Sequence, residues 1–212
     1  MFKISRETED YILNQTGQQD DLLYELYRET HKKVLHPRML SGKLQGRMLE
    51  LISKMLMPSR ILEIGTYTGY SAICLARGLA SDARLDTIEI NDELEDFIRH
   101  YLNRSGMEEK INLHIGDARE ILTQLQGPYQ LIFIDGDKRQ YPDYLSHCKE
   151  LLAPGGTLLA DNVLWDGKVL DRVTRDAHTQ GIRQFNDMIR DDPTLDSLIL
   201  PIRDGLMMAV KK

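Results

Sequence analysis

Hydrophobic and polar positions along this chain follow two periodicities. Short apolar runs bounded by glycine or polar residues predict strands, and apolar residues three or four positions apart predict amphipathic helices. From residue 58 onward the strand and helix patterns alternate, which is typical of a mostly parallel sheet covered by helices on both faces. The strands are predicted at 60–64, 84–90, 111–115, 130–134, 156–160, about 196–202 and 206–210, and the helices at 70–79, 92–104, 118–125, 141–152 and 177–190.

The first 57 residues carry only the helical pattern. Helices are predicted at 5–15, 19–34 and 45–57. They are interrupted at Gly17 and by a structured loop over 37–46, which contains a proline and two glycines. We therefore expect one domain over residues 1–212, with an N-terminal helical cap over 1–57 and a doubly wound α/β core over 58–212.

The last two predicted strands are joined by a very short connection. Only Arg203, Asp204 and Gly205 separate them, whereas a crossover to a parallel neighbour needs a dozen or more residues. The two strands should therefore form a hairpin. The expected sheet is seven-stranded and mostly parallel, with an antiparallel last strand.

Composition and charge describe an ordinary globular protein. The chain is 42% hydrophobic and 28% charged, and its 27 basic and 33 acidic residues give a net charge of -6, so no global charge marks nucleic-acid binding. A signal-peptide pattern and an apolar run of membrane-spanning length are both missing, so we expect a cytoplasmic protein without a membrane partner. Cys74 and Cys148 lie outside any CxxC motif and are expected to be reduced and structural.

The segment 60–71 joins an apolar strand to a helix through a glycine turn, the arrangement that places ligands in doubly wound sheets. The spacing from Gly65 to Gly69, with Tyr67 between them, fits a pyrophosphate poorly. Glu63 in the strand favours a cationic group instead. This pattern predicts a nucleoside that carries an ammonium or a sulfonium, for which S-adenosylmethionine is the common example; an ordinary strand-to-helix connection is the alternative.

Acidic residues also follow the second and third predicted strands. Glu89 comes 24 residues after Gly65, close to the spacing at which an acidic side chain binds ribose hydroxyls. It could instead cap the next helix. Taken alone, Asp117 is better explained by a helix N-cap, and in this context it is, with Ala118, a candidate for contact with the adenine.

Oxygen ligands follow the next two strands. Asp135 comes directly after four apolar residues, and Asp161 and Asn162 end the following strand in the same way. Carboxylate and amide oxygens without histidine or cysteine indicate a hard divalent ion, Mg²⁺ first and Ca²⁺ or Mn²⁺ after it. The alternative is two loop or helix caps and an ion pair between Asp135 and Lys138.

Taken together, these motifs resemble those of the metal-dependent class I O-methyltransferases, the group of catechol and caffeoyl-CoA O-methyltransferases and their small bacterial relatives. The similarity extends over roughly residues 36–212 and implies a Rossmann-like methyltransferase fold. The matching motifs are 63–71, Glu89, 116–118, 133–138, Tyr141 and 161–162.

The resemblance also implies a role for each matching residue. Lys138 corresponds to the general base, Glu89 to the ribose ligand, and Asp117 with Ala118 to the adenine contacts. The metal ligands correspond to Asp135, Asp161 and Asn162, and Asp135 is also expected to contribute to cofactor binding. The positions implied for the methionine part of S-adenosylmethionine are Ser41, Gly42, Glu63, Gly65, Tyr67 and Ser71. A homodimer through the N-terminal helices is a further expectation from the resemblance.

The resemblance leaves the substrate open. Asp137 stands where catechol-specific relatives have an aromatic residue, which resembles the caffeoyl-CoA and bacterial branch. Trp165 is expected either at the substrate mouth or as a core anchor for its own loop. The primary expectation is a catechol-like or hydroxylated aromatic molecule, and the alternatives are the wobble 5-hydroxyuridine of tRNA and a non-catalytic nucleoside-binding module. Candidate phosphate contacts for tRNA are Arg38, Lys43, Arg47, Lys168, Arg172 and Arg175.

Overall fold

A computed structural model describes residues 5–17, 20–171 and 173–212. It contains a seven-stranded sheet with the order β3-β2-β1-β4-β5-β7-β6. The strands are β1 (Arg60–Ile64), β2 (Arg84–Glu89), β3 (Ile111–Ile115), β4 (Tyr129–Ile134), β5 (Leu152–Ala160), β6 (Leu195–Leu200) and β7 (Leu206–Lys211).

Strand directions confirm the predicted sheet. β1 to β5 pair in parallel, whereas β7 pairs antiparallel with both β5 and β6. The hairpin formed by β6 and β7 therefore inserts its second strand beside β5. The strand order reverses between β1 and β4, the position where open α/β sheets bind ligands.

The helices match the prediction in number and order after residue 58, with different ends. They are α1 (Arg6–Gln15), α2 (Asp21–Lys33), α3 (Gly42–Leu56), α4 (Tyr70–Ala76), α5 (Glu95–Arg104), α6 (Ala118–Leu122), α7 (Tyr141–Leu151) and α8 (Ala177–Arg190). The predicted loop over 37–46 is shorter than expected, because α3 begins at Gly42. Gln19, where the second helix was predicted to begin, lies outside the described residues. None of the helices in the described ranges has the length and apolar character to cross a membrane.

β5 begins four residues earlier than the sequence pattern predicts. Pro154, Gly155 and Gly156 have the composition of a turn, yet they lie within the strand. Leu152 pairs with Tyr129, and the register shifts before the next pair of the ladder. An irregularity of this kind accommodates a proline inside a sheet, which is why a composition-based boundary was wrong here.

Apolar side chains cover both faces of the sheet, because neighbouring strand residues point to opposite sides. Phe133 packs in the cluster that includes residues of α2, α3, α4 and α5, and its neighbour Ile132 packs in the cluster formed with α7 and α8. Cys74 and Cys148 are buried and unpaired, as predicted.

Close packing of α3 on α4 depends on Gly46. A Cβ at this position would lie 2.5 Å from the Tyr70 ring and 2.9 Å from Cys74 Sγ, distances that real side chains do not adopt. Gly46 lies where the predicted loop over 37–46 overlaps the predicted helix over 45–57, and the structure places it inside α3. Its position allows the N-terminal helices to approach the carboxyl ends of the strands.

Candidate active site

A cavity of about 1050 Å³ opens at the carboxyl ends of the strands, at the point where the strand order reverses. Its walls come from the residues that follow β1, β2, β4 and β5 and from the segment 36–41 before α3. Among the predicted site residues it is lined by Ser41, Gly65, Tyr67, Ser71, Glu89, Ala118, Asp135, Lys138, Asp161 and Asn162. Three predicted residues do not line it: Gly42, Glu63 and Asp117.

The turn after β1 forms the floor of this cavity. Gly65 has a φ of 102°, and a Cβ at this position would collide with the Asp135 carbonyl oxygen. The backbone N–H groups of Gly65 and Thr66 donate to the Ile88 carbonyl at 2.9 and 3.1 Å. Only glycine fits such a close approach of two strand ends, so the turn keeps the space above it open for a ligand.

Glu63 lies buried beneath the cavity lining. The Thr87 hydroxyl donates to its Oε2, whereas its Oε1 has no hydrogen-bond partner among the described residues. Burial raises the pKa of Glu63 to about 8, and the Ser71 and Thr87 hydroxyls oppose this shift. A buried carboxyl oxygen without a donor is costly, and the Glu63 carboxyl lies beneath the cavity lining, not in it.

The raised pKa of Glu63 gives a pH-dependent stability. Between its ordinary pKa of 4.5 and its folded pKa of about 8, the unfolded chain is ionised and the folded chain is protonated. The contribution of Glu63 to the free energy of unfolding is therefore complete below pH 4.5 and is lost as the pH rises toward 8. In the ligand-free protein, wild type should lose about 1.4 kcal/mol per pH unit relative to Glu63→Gln between about pH 5 and 8. Urea unfolding of both proteins across this range measures the difference, and parallel pH profiles would contradict the prediction.

Glu89 faces the cavity from the end of β2. Its carboxylate accepts hydrogen bonds from the backbone N–H of Tyr67 at 2.6 Å and of Asn91 at 2.9 Å. The side chain of Asn91, not that of Glu89, accepts from the Glu93 N–H at the start of the next helical turn. Burial raises the pKa of Glu89. Each carboxylate oxygen retains capacity to accept a further hydrogen bond from a ligand.

Asp117 acts as the N-cap of α6 and does not line the cavity. Its carboxylate accepts from the Arg119 N–H at 2.8 Å and pairs with the Arg119 guanidinium at 2.6 Å. These contacts hold the pKa of Asp117 below its usual value. The helix-cap interpretation thus describes the ligand-free geometry, and Ala118 is the member of this pair that lies at the cavity wall.

A buried polar network surrounds Lys138, which is 8% exposed. Its Nζ donates to Asp135 Oδ1 at 2.6 Å and to the Tyr141 hydroxyl at 2.9 Å. The Tyr141 hydroxyl in turn donates toward the carbonyl oxygens of Ile134 and Asp161, at 3.1 and 3.0 Å. Tyr141 therefore connects the ends of β4 and β5 and fixes the position of the lysine between them.

Burial raises the pKa of Asp135 to about 6. The Lys138 ammonium opposes this shift, and the Asp161 carboxylate adds to it. Two carboxyl groups that influence each other in this way lie close together. The predicted ion pair between Asp135 and Lys138 is present.

Asp161 is held through both of its oxygens. Oδ1 accepts from the Asn162 backbone N–H at 2.9 Å, and Oδ2 accepts from Gln45 Nε2 at 2.8 Å. Asn162 has a φ of 60°, a conformation that asparagine adopts more readily than most residues. Asp135, Asp161 and Asn162 all line the same cavity. These three side chains are two carboxylates and one amide. The described part of the chain has no group of three or more His, Cys, Asp or Glu side chains placed to bind a metal.

Trp165 and His178 line the cavity mouth with stacked rings, 5.8 Å between centroids. The Trp165 indole donates to Asp176 Oδ2 at 3.3 Å. Asp137 pairs with the Arg139 guanidinium at 2.5 Å, which lowers its pKa. Trp165 thus lies at the mouth, as the sequence pattern suggested.

Of the five candidate phosphate contacts that the structure describes, only Arg38 lines the cavity. Its guanidinium forms no ion pair or hydrogen bond with any residue that the structure describes. Lys43 donates to the Leu13 carbonyl at 2.7 Å and Arg47 pairs with Glu50 at 3.0 Å. Arg172 lies outside the described residues.

Among the residues that the sequence prediction missed, Gln45 and Arg203 make contacts with predicted site residues. Gln45 contacts Asp161 from α3, and its only sequence signal is a polar side chain one position before a glycine in an amphipathic helix. Arg203 reaches the cavity from the turn between β6 and β7, and its guanidinium donates to the Ser41 carbonyl at 2.8 Å. A turn residue gives no sign in the sequence that it contacts a segment 162 residues away.

The sheet order, the antiparallel β7 and the position of the cavity define a Rossmann-like methyltransferase fold. The family model described as O-methyltransferase matches residues 14–212. The chain belongs to this family of enzymes.

Relatives with assigned names agree with the family model. The chain is 33% identical to a catechol O-methyltransferase of Niastella koreensis, over 99% of each chain. It is 28% identical to a caffeoyl-CoA O-methyltransferase of Stellaria longipes, over 95% of this chain and 89% of that one. A solved O-methyltransferase from Bacillus cereus in complex with SAH has a TM-score of 0.92 at 32% identity, over 97% of both chains.

Proposed function

We propose that this protein transfers a methyl group from S-adenosylmethionine to a metal-chelated hydroxyl of a catechol-like or otherwise hydroxylated aromatic molecule. One observation carries this proposal: a lysine held by buried hydrogen bonds lines the same cavity as three hard oxygen ligands. A site that only bound a nucleoside would need neither a base nor a metal. The Bacillus cereus structure with SAH and a Streptomyces achromogenes O-methyltransferase in complex with SAM support the choice of methyl donor.

The cavity fits the methyl donor through its charge pattern. The Glu63 carboxyl lies beneath the cavity floor, where it favours a cationic group such as the ammonium of the methionine part, with Ser41 and Ser71 at the adjoining wall. Glu89 retains lone pairs for ribose hydroxyls, and Ala118 lies where an adenine edge would pack. Nothing in this arrangement resembles the phosphate sites of dinucleotide folds.

The oxygen ligands fit a hard divalent ion, with Mg²⁺ preferred over Ca²⁺ or Mn²⁺. Asp135, Asp161 and Asn162 would hold it, and three protein ligands leave positions for two adjacent substrate oxygens. When bound, such an ion lowers the pKa of a coordinated hydroxyl and orients its oxygen. The carboxylates of Asp135 and Asp161 lie in a largely buried environment, where an unpaired negative charge is costly and a cation is favoured.

Lys138 supplies the proton acceptor. Its amine donates to Asp135 and Tyr141, which in the neutral form leaves the nitrogen lone pair free for the acceptor hydroxyl. The hydroxyl proton moves to Lys138 Nζ, the oxygen forms a bond to the methyl carbon, and the carbon–sulfur bond breaks to leave a neutral thioether. Methyl transfer from the sulfonium to the oxyanion neutralises both of these charges, and the proton remains on the Lys138 ammonium, so surroundings that are less polar than water favour the transfer step.

Transfer of labelled methyl groups tests the proposal and its alternatives. The protein is incubated with labelled S-adenosylmethionine and Mg²⁺, together with either a catechol or undermodified bulk tRNA. We expect label in the catechol, and its loss when EDTA removes the metal. Label in tRNA alone would favour the wobble-uridine alternative, for which the free Arg38 guanidinium is the supporting observation. Label in neither would favour a non-catalytic binding module.

We also propose that the protein forms a homodimer through its N-terminal helices. The end of α3 exposes a group of large apolar side chains, among which Met55 is 73% exposed and Met57, just beyond the helix, is 70% exposed. Leu51 and Leu56 extend this surface. Exposed apolar patches of this kind mark interfaces.

Sedimentation velocity tests the homodimer. Wild type should sediment as a dimer, and Met55→Glu should shift it toward the monomer, because a carboxylate would be buried in the interface. Leu198→Glu is the matched control, since Leu198 is an exposed apolar residue of β6, away from the N-terminal helices. A monomeric wild type would remove this proposal.

A further inference from the structure

Gln45 is a buried amide that the proposed reaction does not use. It is 1% exposed and lies in α3. Its Nε2 donates to Asp161 Oδ2 at 2.8 Å across 116 residues of sequence, and its Oε1 has no partner among the described residues. A buried amide is costly unless its hydrogen bonds are satisfied, so packing alone does not account for a glutamine at this position.

The hydrogen bond from Gln45 gives the second oxygen of the Asp161 carboxylate a partner. The Asn162 N–H fixes one oxygen through the backbone turn, but a single hydrogen bond leaves the carboxylate free to rotate about its own bond. The amide of Gln45 fixes the second oxygen. Gly46 seats α3 closely against Tyr70 and Cys74, so the amide is presented from a rigid element.

We infer that Gln45 is a positioning residue that orients Asp161 for the divalent ion. The affinity for the ion then depends on how closely α3 packs against α4. This inference rests on the metal site of the proposed function. A neutral donor suits the task, because a lysine at this position would compete with the ion for the carboxylate and a glutamate would repel it. Partners of this kind set ligand orientation in metal sites, and their removal costs about 10–100-fold in metal affinity.

Substitution of Gln45 by methionine tests the inference, since methionine has similar length and no donor. Binding of Mn²⁺ is followed by the EPR signal of the free ion in the presence of S-adenosylhomocysteine, and binding of S-adenosylhomocysteine alone by calorimetry. Gln45→Met should weaken Mn²⁺ binding by about 10–100-fold and leave the affinity for S-adenosylhomocysteine within about twofold of wild type. Gln45→Asn should give the same result, because the shortened amide keeps its polarity but cannot span the 2.8 Å contact.

Ser53→Ala is the matched control. Ser53 is buried in the same helix, and its hydroxyl donates to the Leu75 carbonyl at 2.7 Å. Ser53→Ala removes this hydrogen bond between α3 and α4, and neither residue lines the cavity. It should leave Mn²⁺ affinity unchanged. Wild-type affinity for Mn²⁺ in both Gln45 variants, or an equal loss of S-adenosylhomocysteine binding in them, would overturn the inference. Failure of wild type itself to bind Mn²⁺ would instead overturn the metal site of the proposed function.

Discussion

Replacing Lys138 by methionine is expected to lower kcat by about 10²–10⁴-fold, the range in which a positioned general base contributes. Methionine preserves most of the volume of the side chain and removes the amine. Asp135 and Tyr141 lose their shared donor, but neither residue belongs to the turn that is proposed to bind the methionine part of the methyl donor. Affinity for S-adenosylhomocysteine should therefore stay within a few-fold of wild type.

Steady-state kinetics at saturating metal and methyl donor measure the change in kcat for Lys138→Met. Lys32→Met is the matched control, since Lys32 is an exposed lysine of α2 that pairs only with Glu29 among the described residues. A loss of less than about tenfold in kcat would exclude Lys138 as the base.

Removal of a metal ligand should have an effect of similar size. Asp161→Ala deletes one of two carboxylates in the proposed ligand set and leaves the Gln45 amide without its acceptor. Loss of metal-assisted stabilisation amounts to several kcal/mol, so activity should fall by about 10³-fold or more. S-adenosylmethionine should still bind, because its proposed contacts with Glu63, Ser71 and Glu89 are untouched.

Titration of S-adenosylmethionine into Asp161→Ala by calorimetry, beside an activity assay with and without added Mg²⁺, separates the two functions of the cavity. Asp187→Ala serves as control, because Asp187 is an exposed residue of α8 that pairs with Arg190. Complete loss of cofactor binding in Asp161→Ala would contradict the division between donor site and metal site. Retention of full activity would contradict the metal ligand itself.

The sheet and much of the cavity could be predicted from local sequence because the signals are local. A carboxylate directly after four buried apolar residues, as at Asp135, must lie at a strand end, and parallel strands place their ends at one edge. The three residues predicted between the last two strands permit only a hairpin, and the five between β6 and β7 in the structure still form one. The same reasoning predicts Glu89, Asp161 and Asn162 at the strand ends, and all three line the cavity.

Other features depend on contacts between distant segments. The predicted start of β5 was wrong because Pro154 and the glycines after it have turn composition. Leu152 and Thr157 pair with β4 on either side of them, so the strand includes them. Asp117 lies at the predicted position after β3, but its carboxylate turns to Arg119 and the helix end. A propensity describes what a residue favours alone, and its neighbours across the fold decide between the alternatives.

The order of apolar runs and turns, together with the carboxylates at the strand ends, was enough to determine the α/β class, the antiparallel last strand and the edge of the sheet at which chemistry is expected. Tertiary structure alone decided that Gln45 and Arg203 approach the cavity, that Glu63 is buried with one oxygen unpartnered, and that Tyr141 holds Lys138. The physical reason is that strand direction and burial follow from short-range periodicity, whereas a hydrogen bond across 116 residues exists only after the chain has packed.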